Sequence, residues 1–190
     1  MCRSKRAAVL LALILATAGG TAAAERLGLG QPLLEPQLAR WNIDVDAQGH
    51  GLPPGKGSVA QGQRVYAQTC AACHGDQGQG GLADALVGGR GSLATAKPLK
   101  TIGSFWPYAT TVFDFINRAM PYNAPKSLSA DEVYAVTAYL LHLNGIVAAD
   151  TVLDAASLPQ VRMPNRDGFI SDPRPDTRNV ACQHCPAPSQ

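Results

Sequence analysis

Residues 69–78 read TCAACHGDQG. Cys70 and Cys73 stand three apart, and His74 follows the second cysteine directly. Three chemistries begin with Cys-x-x-Cys: a zinc site, a redox dithiol and a covalently attached haem. A structural zinc site needs four ligands, commonly from two such pairs about 15–20 residues apart. The second pair here, Cys182 and Cys185, starts 109 positions after Cys73. A redox dithiol belongs at a helix start beside a βαβ unit, where the helix end lowers a thiol pKa. No βαβ pattern is visible, and the sequence predicts a helix over 59–75, which puts Cys70 near its end. Haem uses all three residues: two thiols to anchor the ring at its vinyl groups and the adjacent imidazole beneath the iron.

A haem held in this way needs a second axial ligand on the opposite face. Methionine suits an electron carrier, because a thioether favours Fe(II). Past the apolar N-terminus the methionines are Met120, in RAMPYNAP, and Met163, in VRMPNRD. Met120 lies 46 residues beyond His74, in a loop that leads into the last predicted helix and can cross the distal face. It is the expected ligand, with Met163 as the alternative. His142 and His50 are weaker candidates, one beside an apolar stripe and the other in a Gly-Pro arm.

The rest of the chain reads as helices joined by long loops. TTVFDFINRAM (110–120) places Val112, Phe115, Ile116 and Ala119 at helical spacing, with Thr111 as the expected cap and Asp114 at the positive end of the helix. SADEVYAVTAYLLHLNG (129–145) opens on a Ser129–Glu132 capping box, carries a stripe of Val133, Val136, Leu140 and Leu143, and stops at Asn144-Gly145. Glycines crowd the stretch 75–107, and a loop of that length is usually functional. Residues 25–58 and 147–190 are rich in proline and glycine and read as irregular extensions, although Trp41, Ile43 and Val45 alternate as if to pack on something. No strand-rich block is apparent.

The first 24 residues have the layout of a cleaved signal peptide: Arg3, Lys5 and Arg6, an apolar run, then Ala22-Ala23-Ala24. They carry three of the 16 Lys and Arg and none of the 14 Asp and Glu, so the remainder has 13 basic and 14 acidic residues and a formal charge of −1. No basic stripe remains for nucleic acid, and no further apolar run is long enough to span a membrane. The expectation is an exported, periplasmic protein.

CAACHG, AMP and LSADEVYAVTAYL, in that order, resemble the class I cytochrome c family. The resemblance implies an all-α fold of three main helices around one covalent haem c, over residues 59–146. In that fold the first and last helices cross tightly, glycine against aromatic, and Gly62 and Tyr139 match those positions. WNIDVDAQGHGLPPGKGSVAQG (41–62), GSFWPYATTVFDFINRAMPYNAP (103–125) and VRMPNRDGFISDPRPD (161–176) are more narrowly similar to the cytochrome c subunit of periplasmic sulfite dehydrogenases and sulfane dehydrogenases. That similarity implies a partner subunit carrying a molybdenum cofactor and a downstream acceptor such as another cytochrome c. It implies an electron-transfer role in sulfur oxidation, not catalysis by this chain alone. Some relatives carry two haems; a single C-x-x-C-H implies one here.

Cys70, Cys73, His74 and Met120 are then the expected cofactor-binding residues, with His74 and Met120 on the iron. Trp106, Tyr108 and Arg118, near Met120 in sequence, are candidates for the haem propionates. Pro186 stands where a second C-x-x-C-H would have its histidine. Cys182 and Cys185 are expected as a short disulfide of an oxidising compartment, with a metal or redox role shared with His184 as the alternative. The extensions are the expected docking surface. Two rival functions remain: a free-standing carrier, and a haem enzyme or gas sensor with an open sixth position.

Overall fold

The computed structural model describes residues 30–39 and 41–171. The expected signal segment and the Cys182–Cys185 pair lie outside the described residues. The chain divides into two units after Leu38. In the first, a single turn, α1 (Glu35–Leu38), is closed by the Leu34 amide donating to Gln37 Oε1 at 2.9 Å, and Leu33 and Leu34 are exposed.

The second unit is helical, with one small sheet. Strand β1 (Lys56–Ser58) runs directly into helix α2 (Val59–Thr69); a short helix α3 (Ala71–His74) follows at once. After a long loop come α4 (Ala109–Ala119) and α5 (Ala130–Leu143), then strand β2 (Val152–Asp154) and a 3-10 turn (Leu158–Gln160). The expected single helix over 59–75 is two helices, because Cys70 (φ −120°, ψ −38°) leaves the helical region between them. Two strands also appear where none was expected. They pair antiparallel, with Lys56 opposite Asp154, Gly57 opposite Leu153 and Ser58 opposite Val152.

Capping sets the helix starts. The Ser129–Glu132 box forms as expected: the Ser129 amide donates to Glu132 Oε2 at 2.8 Å, and the Glu132 amide returns to Ser129 Oγ. A second box, Ser58–Gln61, starts α2; its S-x-x-Q spacing is the same local signal. Thr111 is not the cap of α4. The helix begins two residues earlier at Ala109, and Thr111 sits in its first turn, donating from Oγ1 to the Tyr108 carbonyl at 2.8 Å. Phe113 rather than Phe115 faces the core, and Asp114 is buried instead of lying at the helix end. The Asp114 carboxylate accepts from the Val45 amide at 3.1 Å and from the Arg118 guanidinium. This ties the 41–45 arm to α4. Of the alternating residues in that arm Val45 is buried, while Trp41 is 79% exposed.

The core lies where α2, α4 and α5 meet. α5 is buried on all sides from Val133 to Leu141, as a helix enclosed by neighbours should be. The tail returns to this core: Leu153, Leu158 and Met163 are each no more than 2% exposed. The segment read as an outer extension therefore supplies part of the central packing.

The α2–α5 crossing depends on Gly62. A β-carbon there would overlap the Ala135 carbonyl of α5 and come within 2.8 Å of Tyr139 Cβ. Close by, the Tyr66 and Tyr139 rings meet at 5.4 Å. Glycine in a helix ordinarily costs about 0.5–1 kcal/mol against alanine, so in an open helix Gly62→Ala would stabilise. Here the clash is with backbone, which no rotamer relieves, and overpacking costs about 1–3 kcal/mol. Gly62→Ala is expected to lower stability by about 2 kcal/mol in urea denaturation. A stabilised variant would mean the helices cross less tightly than this.

Candidate cofactor site

A cleft of about 960 Å3 opens beside the core. Its apolar lining includes Leu86, Ile102, Val112, Ile116, Val136 and Leu140. Cys70, Cys73 and His74 also line it, and so do Trp106 and Met120. Five of the seven residues singled out in the sequence thus meet in one cavity, although 46 positions separate His74 from Met120.

Local structure explains how the thiols and the imidazole are presented. The break at Cys70 ends α2, and one turn of α3 carries Cys73 and His74; the His74 amide donates to the Cys70 carbonyl at 3.0 Å. Gly75 ends that turn at φ +80°, ψ 156°, a conformation open essentially to glycine alone. The Gly75 carbonyl accepts from Tyr66 Oη at 2.7 Å. Burial pushes the Tyr66 phenol up to about 12, with the nearby Cys70 as a lesser cause, so it remains a donor. His74 Nδ1 lies 2.8 Å from the Asp84 carbonyl oxygen. A carbonyl only accepts, so Nδ1 carries the proton and Nε2 keeps its lone pair for a ligand.

Cys70 and Cys73 are free thiols, Cys70 half-buried and Cys73 exposed. Burial pushes the Cys70 thiol above its ordinary value. Among the described residues no group of three or more His, Cys, Asp or Glu side chains could hold a metal ion. The cleft fits haem: an apolar slot of sufficient size, two thiols and a ligand-ready imidazole, and a thioether in the same lining.

The other two candidates lie elsewhere. Tyr108 is covered by the Arg166 guanidinium, 4.5 Å from its ring centroid. Arg118 is bound to Asp114, with Asp44 at 3.9 Å. Neither lines the cleft. Trp106 does, packed edge-on against Phe115 with ring centroids 5.8 Å apart. Met163, the alternative axial ligand, is 1% exposed within the core and is absent from the cleft lining. His142 Nδ1 meets the Val147 carbonyl, and His50 pairs with Asp46.

Sequence reasoning missed three features of the cleft. One is the Asp84 carbonyl, for which a backbone atom ten residues from His74 gives no signal. The second is its rim, where Leu82 and Tyr122 are 89% and 87% exposed. The third is Lys100, the one basic residue in the lining. A smaller cavity of about 210 Å3, lined in part by Arg90 and Asn144, contains none of the residues singled out.

The chain is similar to known proteins in sequence and in fold. The family model described as cytochrome c oxidase, cbb3-type, subunit III matches residues 57–140. A thiosulfate dehydrogenase of Stutzerimonas stutzeri (strain A1501) is 36% identical over 93 residues, 46% of this chain; the match spans only 28% of that relative's length. A chain in the crystal structure of the sulfane dehydrogenase SoxCD from Paracoccus pantotrophus is 43% identical and superposes with a TM-score of 0.76, covering 85% of this chain and 80% of that one.

Proposed function

The chain belongs to the cytochrome c family, with haem c as its cofactor, and from that premise we propose that it is the electron-accepting subunit of a sulfur-compound dehydrogenase. The observation that carries the haem part is the convergence of Cys70, Cys73, His74 and Met120 on one apolar cleft. The sulfur part is supported by the extent of the likeness to the sulfane dehydrogenase chain. Coverage of 85% reaches well beyond residues 59–146 and takes in sequence from the extensions.

Haem c, when bound, supplies a one-electron Fe(III)/Fe(II) couple. Cys70 and Cys73 would hold the ring by thioether bonds. His74 offers Nε2 to the iron, fixed in orientation and tautomer by the Asp84 carbonyl. Met120, in the same lining, would offer its thioether as the second ligand, a role that would exclude small ligands and reserve the site for electron transfer. The apolar lining would keep water from the ring and so favour the ferrous state, in which the iron–porphyrin core is neutral. Leu82 and Tyr122 form an apolar collar at the mouth of the cleft, where a partner can exclude water and approach closely.

The expected partner is a catalytic subunit with a molybdenum cofactor, and the expected onward acceptor is another cytochrome c, both in the periplasm after removal of residues 1–24. Oxidising sulfite with water to sulfate releases two electrons and two protons. A single haem takes one electron at a time, so each turnover needs two successive transfers through this cleft. Among the described residues no helix is long and apolar enough to cross a membrane.

The test is to purify the native complex and add sulfite, then a sulfane donor, while following the haem absorbance. Reduction by either, with molybdenum and a second chain co-purifying, is the expected result and identifies the donor. An oxidised haem after both additions, with the partner intact, would remove the sulfur assignment and leave the cytochrome.

A further inference from the structure

We propose that Lys100 is the counter-ion of the haem propionates and sets part of the reduction potential of this cytochrome. The inference rests on the haem reading of the cleft. Haem brings two carboxylates into a lining that is mostly apolar, and a carboxylate in such a place needs a cation or hydrogen-bond donors. The lining holds two ionisable side chains besides the cysteines, His74 and Tyr122: Asp84, which is acidic, and Lys100. Arg118, the cation closest to Met120 in sequence, is already engaged by Asp114 and Asp44 outside the lining. Arg90 donates to the Asn144 carbonyl at the smaller cavity.

The position of Lys100 is supported from behind. Its Nζ lies 5.0 Å from the centroid of the Phe105 ring, a cation–π distance. Phe105 is packed in turn against Phe169 with centroids 5.2 Å apart, and its carbonyl accepts from Asn165 Nδ2 at 2.7 Å. The returning tail thus packs against the ring that the Lys100 ammonium faces, while Lys100 itself lines the cleft. No acidic side chain lies within ion-pairing distance of Lys100 among the described residues, which leaves the ammonium available to a carboxylate that arrives with the cofactor. A positive charge there stabilises the reduced haem, which carries one more negative charge than the oxidised form.

The experiment is redox titration of the full-length holoprotein and of Lys100→Gln, Lys100→Arg and Lys97→Gln, with haem attachment checked by the alkaline pyridine spectrum. Lys100→Gln is expected to shift the midpoint potential downward with the axial ligands unchanged. Lys100→Arg should restore most of the shift, and Lys97→Gln, outside the lining, should leave it at the wild-type value. A haem-loaded Lys100→Gln protein with the wild-type midpoint overturns the proposal while leaving the haem site intact. So does an equal shift in Lys97→Gln, which would mean that only overall surface charge matters. Absence of covalent haem from the wild-type protein would overturn the reading of the cleft, and this inference with it.

Discussion

Replacing Cys70 and Cys73 together by alanine is expected to abolish covalent haem entirely. The measurement is haem staining of the denatured chain after electrophoresis, with the pyridine spectrum as quantitation. Each single substitution should leave the other thioether possible and reduce loading without removing it. The effect on folding should be as large as the effect on loading. The cleft is about 960 Å3 and is lined by Val112, Ile116, Val136 and Leu140, residues on α4 and α5 that otherwise form the core. Without the ring those side chains face water, and the apolar area that the cofactor would cover is left exposed, at about 25 cal/mol for each Å2. The double variant is therefore expected to lose helical circular dichroism as well as colour. Full haem staining of the double variant would mean that this motif does not attach the cofactor. A colourless chain with native helix content would mean that the core closes without it.

How far the sequence foretold this arrangement varies from one element to another. The last helix was legible to the residue, because the Ser129–Glu132 box, the apolar spacing and Asn144-Gly145 are all local signals and agree with one another. The Cys70–His74 motif was legible for the same reason, since the chemistry lies within five residues. Met120 has no such local signal, only its place in a loop long enough to cross the distal face; it lies in the cleft and Met163 in the core. Long-range packing was hidden. Asp114 looked like a charge at the start of a helix, and only the fold shows it accepting from Val45, 69 positions away. Tyr108 and Arg118 were chosen for being near Met120 in sequence. On a helix or turn, though, neighbours in sequence face different ways, and these two point to Arg166 and Asp114. The tail was read as a separate extension on its prolines, a compositional signal that says nothing of the isolated apolar residues Leu153, Leu158 and Met163 that complete the core.

Exchanging Met120 should produce the largest change in the redox chemistry. Axial ligands move haem potentials across about 0.8 V in total, and a thioether lies toward the high end because it favours Fe(II). Met120→His is expected to lower the midpoint by on the order of a few tenths of a volt. Met120→Ala should open the sixth position, so that the reduced protein binds carbon monoxide at once and without denaturant, whereas the wild type does not. The substitution should cost little in stability relative to loss of the haem itself. Met120 is the half-buried residue that ends α4, where its amide still donates to the Ile116 carbonyl at 3.1 Å, a bond any residue but proline retains. Val112, Ile116 and Leu140 would remain in the lining. A fall in potential with covalent haem and helix content unchanged is the signature of a lost ligand, which a packing defect would not reproduce. If the wild-type protein itself bound carbon monoxide immediately, Met120 would not be on the iron, and the chain would be a ligand-binding haem protein. If Met120→Ala left the potential unchanged and Met163→Ala lowered it, the ligand would come from the tail, and the core around Met163 would have to open to deliver it.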